Sequence, residues 1–407
     1  MQNVLIIGCD TRNIACSASK SEYNVYSIDA FCDFDLTECA VATKKIPSNY
    51  ADDVKTIPLQ RIEEWIAEFD VDFDAIVLGS GFELINQKRL PYRLLNNSQQ
   101  IMNAVTDKYR FASRLESLDI PHPVTYSGKE HDNIDTRNFP VMVKPNRAGG
   151  GLLNRKVGSP DELESVIEGL LKSYPSWTAD DLIIQEFEIG IPASVSIIST
   201  ETEACAIALN EQLIGESQLT DMGFAYCGNI TPFETSYHEM ICETAKQLVL
   251  EFGLIGSNGV DFIITENGPV ILEINPRFQG SLDTVELATG MNLFDAHVKS
   301  FSGILPDTKP HVNHFAGKAI VYSKGNLFIN ERIFKGLVCQ NTVDIPNLGH
   351  NISTDEPMVS VVHTGYNRND VTEKLRKSVD YIRNLTDSCY YQKDNKSIQN
   401  LNTKLIS

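Results

Sequence analysis

At 407 residues the chain is too long for one ordinary hydrophobic core, and its length implies about two to four packed units. Lys and Arg total 35 against 54 Asp and Glu, a formal net charge of −19, which excludes the basic footprint of a nucleic-acid binder and disfavours an anionic membrane surface. Hydrophobic residues make up 42% and charged residues 22%, the balance of a globular rather than a disordered protein.

The nine cysteines, at 9, 16, 32, 39, 205, 227, 242, 339 and 389, are scattered and form no Cys-x-x-Cys pair. Reduced thiols in a cytoplasmic protein are therefore expected, rather than zinc or redox work. The opening Met1-Gln2-Asn3-Val4-Leu5-Ile6-Ile7-Gly8-Cys9 lacks the basic start of a lipoprotein signal and reads as a buried first strand. No stretch approaches the roughly 20 apolar residues of a membrane span.

Short apolar runs at 3–8, 23–29 and 73–79, with a helical pattern over 59–69 between them, predict strands alternating with helices around a parallel sheet. The turn Gly8-Cys9-Asp10-Thr11-Arg12 follows the first strand but lacks the further glycines that admit a dinucleotide pyrophosphate. A new unit starts near Ile101, where Asp107-Lys108 leads a helix that Ile120-Pro121-His122-Pro123 terminates. Val141-Met142-Val143-Lys144-Pro145 reads as a strand entering a flexible loop with Gly149, Gly150 and Gly151. Ser159-Pro160 starts a helix, and residues 182–187 form a strand that runs into a polar linker.

Residues 259–275 carry the sharpest local inference. Asn267-Gly268 lies between two apolar runs and marks a hairpin. A two-residue turn there would pair Phe262 with Glu273 and bury a carboxylate on an apolar face. A three-residue loop of Glu266, Asn267 and Gly268 pairs Asp261 with Glu273 instead, and sets Val260, Phe262, Ile264, Val270, Leu272 and Ile274 on one face. Asp261, Glu273 and Asn275 then share the other face, either as a solvated acidic surface, the commoner case for such a hairpin, or as hard oxygen ligands suited to magnesium holding substrate phosphates. Arg277, two residues on, is placed to stabilise charge on a phosphoryl group. Lys144, with the mobile N–H groups of the triple glycine, is placed to cover ATP phosphates, although no P-loop is present; a flexible surface hairpin is the alternative.

In the tail, residues 357–362 read as a strand, Asn369 or Asp370 can cap a helix whose Val371, Leu375, Val379 and Ile382 lie on one side, and Gln392 to Ser407 is polar and loosely ordered. Asp10, Arg12, Asp29, Asp33 and Asp35 follow the ends of the first two strands, where open parallel sheets bind ligands. Arg12 could pair a substrate carboxylate and the aspartates an ammonium; capping or turn roles are the even alternative. Phe224, Tyr226 and Asn229 lie on a predicted loop that either shapes an acceptor pocket or packs the core. His238 and His297 fall on helical patterns and read as structural.

These pieces in this order resemble the ATP-grasp superfamily, from about Lys108 to Phe301. Gly259-Val260-Asp261-Phe262 and Leu272-Glu273-Ile274-Asn275-Pro276-Arg277 are similar to its metal-binding signature. The resemblance implies a mixed α/β and α+β architecture: a Rossmann-like leading domain over 1–100, an ATP-grasp domain over 101–305 with α+β subdomains at 101–184 and 185–305 clasping ATP, and a small closing domain over 306–407. The strand over 357–362 and its helix resemble the C-terminal segment of biotin-carboxylase-like members. A narrower likeness, to predicted ATP-dependent carboligases, is carried by Gly8 through Arg12, residues 28–35, Gly79-Ser80-Gly81-Phe82-Glu83 and residues 224–232.

By position, the resemblance implies that Lys108 and Lys144 contact the α- and β-phosphates and Gly149 to Gly151 cover the β- and γ-phosphates. Gln185, Glu186, Phe187 and Glu188 would read adenine, with Gln185 facing its amino group. Asp261, Glu273 and Asn275 would hold magnesium, with manganese as the substitute, and Arg277 would stabilise the phosphoryl group in flight. Pro192 stands where many members place a ribose-binding glutamate, which leaves ribose to Glu188 or a backbone group. The implied reaction joins a small-molecule carboxylate to an amine through an acyl phosphate. A carboxylase forming carboxyphosphate and an ATP-binding sensor without turnover are the alternatives. Neither nucleic acid nor membrane is an expected partner, and a homodimer is compatible with the family.

Overall fold

The computed structural model describes residues 2–47, 50, 56–83, 85, 90–147, 149–306, 311–338 and 341–390. Cys339 and the polar stretch Gln392 to Ser407 lie outside the described residues.

The strands are β1 Asn3–Gly8, β2 Asn24–Asp29, β3 Ala42–Lys45, β4 Ala75–Leu78, β5 Thr125–Ser127, β6 Val141–Pro145, β7 Arg155–Val157, β8 Leu182–Glu186, β9 Ile191–Ser199, β10 Ala204–Ile214, β11 Tyr226–Thr231, β12 Gly256–Thr265, β13 Gly268–Asn275, β14 Phe315–Tyr322, β15 Leu327–Phe328, β16 Thr342–Val343, β17 Asn351–Ile352 and β18 Pro357–Gly365. They form a four-stranded sheet β3-β2-β1-β4, a four-stranded sheet β5-β8-β6-β7, an eight-stranded sheet β13-β12-β9-β10-β11-β14-β18-β16 and a small β15-β17 pair.

The first sheet is parallel throughout, as the continuous apolar run of β1 requires: Val4, Leu5, Ile6 and Ile7 are all buried, with helices on both faces. Helix Leu59–Ala67 turns Ile62, Trp65 and Ile66 onto one face. The opposite face meets helices Leu282–Thr289 and Leu293–Ser300 through Val4, Ile6, Leu282, Val285 and Phe294. The second sheet is antiparallel and covered by helix Pro160–Ser173, where Ser159 accepts from Glu162 N–H as expected for its Ser-Pro start.

The third sheet is antiparallel, and the tail beyond residue 306 adds β14, β18 and β16 directly to β11. Helix Arg368–Thr386 packs Val371, Leu375, Val379 and Ile382 against it, as the spacing predicts. Its cap is Asn367, whose carboxamide oxygen accepts from Asp370 N–H, rather than Asn369 or Asp370. His297 is buried in its helix: its Nδ1 accepts from Ser257 N–H, its Nε2 meets the Leu95 carbonyl, and burial pushes its pKa down to about 4, a structural role as expected.

The β12–β13 hairpin pairs Asp261 with Glu273 as anticipated, by a different route. Its loop is Glu266-Asn267, with Thr265 opposite Gly268, whose φ of 119° is open to glycine. Carried on unbroken, that register would set Glu273 opposite Val260 on the core face. The pairing shifts between Asp261 and Phe262, leaving Leu272 as the extra residue and restoring Asp261 opposite Glu273. Ile271, not Leu272, therefore joins Val260, Phe262 and Ile274 in the core.

The expectation of reduced thiols throughout is overturned: Cys16, in helix Arg12–Lys20, and Cys39, at the end of helix Phe34–Cys39, form a disulfide with Cα atoms 5.1 Å apart. The two residues are 23 apart in sequence, and closing such a loop contributes about 3 kcal/mol in the chain-entropy picture. Peptide mapping without reductant should recover the Cys16–Cys39 pair, and the C16S/C39S variant should lose roughly that stability in urea unfolding. Recovery of both thiols free in the isolated protein would contradict the bridge.

Candidate functional site

The site lies where β6, β8, β12 and β13 bring their side chains toward the loop after β4. Alternation along the hairpin turns Asp261, Glu273 and Asn275 to one side, while Val260, Phe262, Ile271 and Ile274 face the core. Asn275 Nδ2 donates to Asp261 Oδ2 at 3.0 Å, and Arg277 Nη2 donates to Asn275 Oδ1 at 3.3 Å. Lys108, at the start of helix Lys108–Ser117, places its Nζ 3.0 Å from Glu273 Oε2. Asp107 caps that helix and carries Arg147 at 2.8 Å.

Lys144, in β6, is buried and donates to Gln185 Oε1 at 2.7 Å, while Gln185 Nε2 donates to Thr125 Oγ1 at 2.8 Å. The Gln185 amide, expected to face adenine, is thus engaged on both sides and serves to orient Lys144. In the linker, Glu186 N–H is used on the Val124 carbonyl, and Phe187 sits under Lys156 Nζ at 4.0 Å, edge-on to Phe224. Glu188 is half-buried, and burial together with Glu186 raises its carboxyl pKa.

The glycine loop closes over this group. Gly150 O accepts from Tyr226 N–H at 3.3 Å. Gly151 has φ of 74°, and a Cβ there would fall 1.9 Å from the Phe224 carbonyl oxygen. A Cβ on Gly149 would lie 3.7 Å from Arg277 Nη2, so the loop passes directly over the guanidinium. Glycine is required at 151 by conformation and by space.

The charges of the site are strongly coupled. Burial, then the neighbouring Glu273, pushes the Asp261 carboxyl up to about 7, against hydrogen bonds from Gln212 and Asn275. Burial acts on Glu273 in the same direction, but Lys108 and Lys144 outweigh it and hold that carboxyl below its usual range. Burial brings Lys144 down to about 8, opposed by Glu273 and assisted by Lys108. Among the described residues no three His, Cys, Asp or Glu side chains gather as a metal set; the hard-ligand candidate is two carboxylates and one amide.

The expected substrate residues divide. Asp29 accepts from Thr11 N–H and Oγ1–H and from Phe31 and Cys32 N–H, at 2.7 to 2.8 Å, so it builds the turn and offers nothing to a ligand. Arg12 is not free for a substrate carboxylate. It is buried, bidentate to Asp283 at 2.7 Å, bonded to Asp344 at 2.7 Å and 3.4 Å from Asp35. Lys318, unnoticed in the sequence, joins Asp283 at 3.1 Å and Asp344 at 3.0 Å. Asp35 accepts from Asp344 and Ile345 N–H. Asp10 is solvent-exposed as a residue, while its carboxyl, crowded by the surrounding protein and then by Asp344, is pushed up to about 7. Asp33 is likewise raised by burial, Asp344 and Asp10. Tyr226 and Asn229 stand on strand β11 rather than a loop. Asn229 is buried, donating to Thr231 and Thr284 and accepting from Tyr226 Oη–H at 3.2 Å. Glu83, also unassigned from the sequence, forms an ion pair with Arg277 Nε.

The chain is similar to known proteins over most of its length. Residues 105–281 match the ATP-grasp domain family. The chain is 27% identical over 371 residues to an uncharacterized protein of Methanocaldococcus jannaschii, covering 88% of this chain and 87% of that protein. It is 26% identical over 276 residues to the D-alanine–D-alanine ligase of Flavobacterium psychrophilum, covering 63% of this chain and 78% of that enzyme. It superposes on the biotin carboxylase of Campylobacter jejuni, solved as a β-γ-ATP complex, with a TM-score of 0.72 and 15% identity, covering 97% of this chain and 96% of that one. The protein therefore has the ATP-grasp fold and carries an ATP-grasp domain.

The coupling gives a signed expectation. The Lys144 amine, followed by 13C chemical shift of its ε-carbon, should titrate near 8. Glu273→Gln should lower that midpoint, because the carboxylate supports the ammonium, and Lys108→Met should raise it by removing a like charge. A midpoint near the ordinary lysine value, or shifts of opposite sign, would contradict the geometry.

Proposed function

We propose that the protein is an ATP-dependent ligase that joins a small-molecule carboxylate to an amine and releases ADP and phosphate. The supporting observation is the convergence of Lys108, Lys144 and Arg277 on the Asp261–Glu273–Asn275 face beneath the glycine loop. Three cations and a set of hard oxygen ligands suit a polyphosphate accompanied by a divalent metal.

The donor set fits magnesium. Asp261 and Glu273 are cross-strand neighbours on one face, and their repulsion contributes to holding Asp261 up to about 7, a cost that a bound divalent cation would remove. Asp261, Glu273 and Asn275 would hold it, and it would neutralise phosphate charge. Lys144, fixed by Gln185, and Lys108 would meet the α- and β-phosphates. The N–H groups of Gly149 to Gly151 would cover the β- and γ-phosphates, and Arg277 would take charge developing on the transferring group. A substrate carboxylate oxygen attacks the γ-phosphorus and displaces ADP. The amine nitrogen then attacks the acyl carbon, phosphate leaves, and the nitrogen gives up a proton. The protein acts by positioning and charge neutralisation, with no covalent intermediate on a side chain.

In this reading residues 1–100 form the leading domain, 101–305 the ATP clasp and 306–407 the closing domain, with Asp10, Asp33 and Tyr226 left as substrate contacts. Adenine would lie against the linker Gln185 to Glu188, and Glu188 is the available ribose partner. Cytoplasmic placement rested on reduced thiols, and the Cys16–Cys39 bridge removes that support; no described helix is long and apolar enough to cross a membrane.

Purified protein incubated with magnesium, ATP and a library of carboxylates and amines should release ADP only when both substrate types are present, with an amide product by mass. Glu273→Gln should cut that turnover on the order of 10²-fold while keeping its thermal transition. Bicarbonate-dependent, amine-independent ADP release would replace the ligase with a carboxylase. MgATP binding without turnover would leave a nucleotide sensor.

A further inference from the structure

We infer that Glu83 is the positioning residue for Arg277, a role that rests on the reading of Arg277 as the phosphoryl ligand. A guanidinium carries five N–H donors in a rigid plane. In Arg277 three of these directions are committed: Nε to Glu83, Nη1 to the Phe278 carbonyl at 3.0 Å and Nη2 to Asn275 Oδ1 at 3.3 Å. One N–H on each terminal nitrogen is left for an anion, beneath Gly149. Of the three partners only Glu83 lies outside the β13 strand and its extension, so it sets the angle of the plane relative to the hairpin.

The support for Glu83 is stiff. The turn after β4 is closed by Phe82 N–H donating to the Gly79 carbonyl at 3.2 Å, and Gly81 supplies a φ of 87°. Phe82 is fully buried among Leu5, Ile7 and Leu78, so the residue next to Glu83 is anchored in the leading sheet. Both partners of the ion pair are mostly withdrawn from solvent, with side-chain exposures of 17% for Arg277 and 16% for Glu83. This contact joins the turn after β4 to the guanidinium itself, beside Asn97 Nδ2, which donates to the neighbouring Pro276 carbonyl at 3.2 Å.

Without Glu83, the carboxylates of Asp261 and Glu273 remain, and both already feel the Arg277 charge. The guanidinium would turn onto them, leaving the phosphoryl position and competing with the metal for its ligands. Glu83 therefore keeps Arg277 and the metal carboxylates apart.

The test needs no knowledge of the acceptor substrates. Dissociation constants for MgATP and MgADP are measured calorimetrically for wild type, Glu83→Ala, Glu83→Gln, Arg277→Ala and the E83A/R277A pair, with thermal transitions to confirm folding. Glu83→Ala should weaken MgATP about 10-fold and MgADP by less than about 2-fold, because the lost contact acts on the terminal phosphate. Glu83→Gln, which still accepts from Nε, should restore MgATP to within about 3-fold of wild type. The double variant should bind MgATP no more weakly than Arg277→Ala alone. Equal loss for both nucleotides, unchanged or tighter MgATP binding in Glu83→Ala, no restoration by Glu83→Gln, or additive losses in the pair would each overturn the role. If Glu83→Ala does not fold, Glu83→Ser is read against the same criteria. Wild-type protein that binds neither nucleotide would overturn the ligase reading itself, and with it the role of Glu83.

Discussion

The one-residue bulge at Leu272 is the constraint on which the site depends. A hairpin alternates its side chains, so a core face and a ligand face coexist only if every carboxylate falls on the same parity. The tight Glu266-Asn267 loop alone would set Glu273 opposite Val260, on the buried face. The extra residue shifts the register where it is needed, placing Ile271 and Ile274 in the core and Glu273 beside Asp261. Lys108, Lys144, Asn275 and Arg277 then acquire a common focus because the two carboxylates have one.

The net charge of −19 takes on a local meaning in this light. In the proposed reaction, anionic ligands would have to reach a small cationic focus within a repelling surface, so attraction would come from Lys108, Lys144, Arg277 and a bound metal rather than from bulk charge. A second cluster does structural work. Arg12, at the start of helix Arg12–Lys20, and Lys318 from β14 meet Asp283 of helix Leu282–Thr289 and Asp344, and the four groups tie these distant segments together. Removing one member of such a buried network leaves its partners uncompensated, at a cost of about 3 to 5 kcal/mol. Arg12 thus belongs to the frame of the cleft rather than to substrate recognition.

Much of this was legible in the sequence where the signal is local. Apolar runs located β1, β2 and β4, the Ser159-Pro160 start located its helix, and hydrophobic sorting paired Asp261 with Glu273. The bulge escaped because Asn267-Gly268 admits several loop registers, and the choice between Ile271 and Leu272 depends on packing against Phe262. Arg12 escaped for another reason: its partners lie 271 and 332 residues away, and no local pattern encodes such a meeting. Cys16 and Cys39 sit on separate helices, so their spacing carries no motif. Glu83 is a polar residue after a strand, and only the fold brings it to Arg277.

The carboxylate face is tested most directly by a crystal structure with magnesium and a non-hydrolysable ATP analogue. The cation should lie against Asp261, Glu273 and Asn275, with Lys108 drawn from Glu273 onto a phosphate. A nucleotide bound with its cation away from Asp261 and Glu273, and Lys108 still on Glu273, would contradict it.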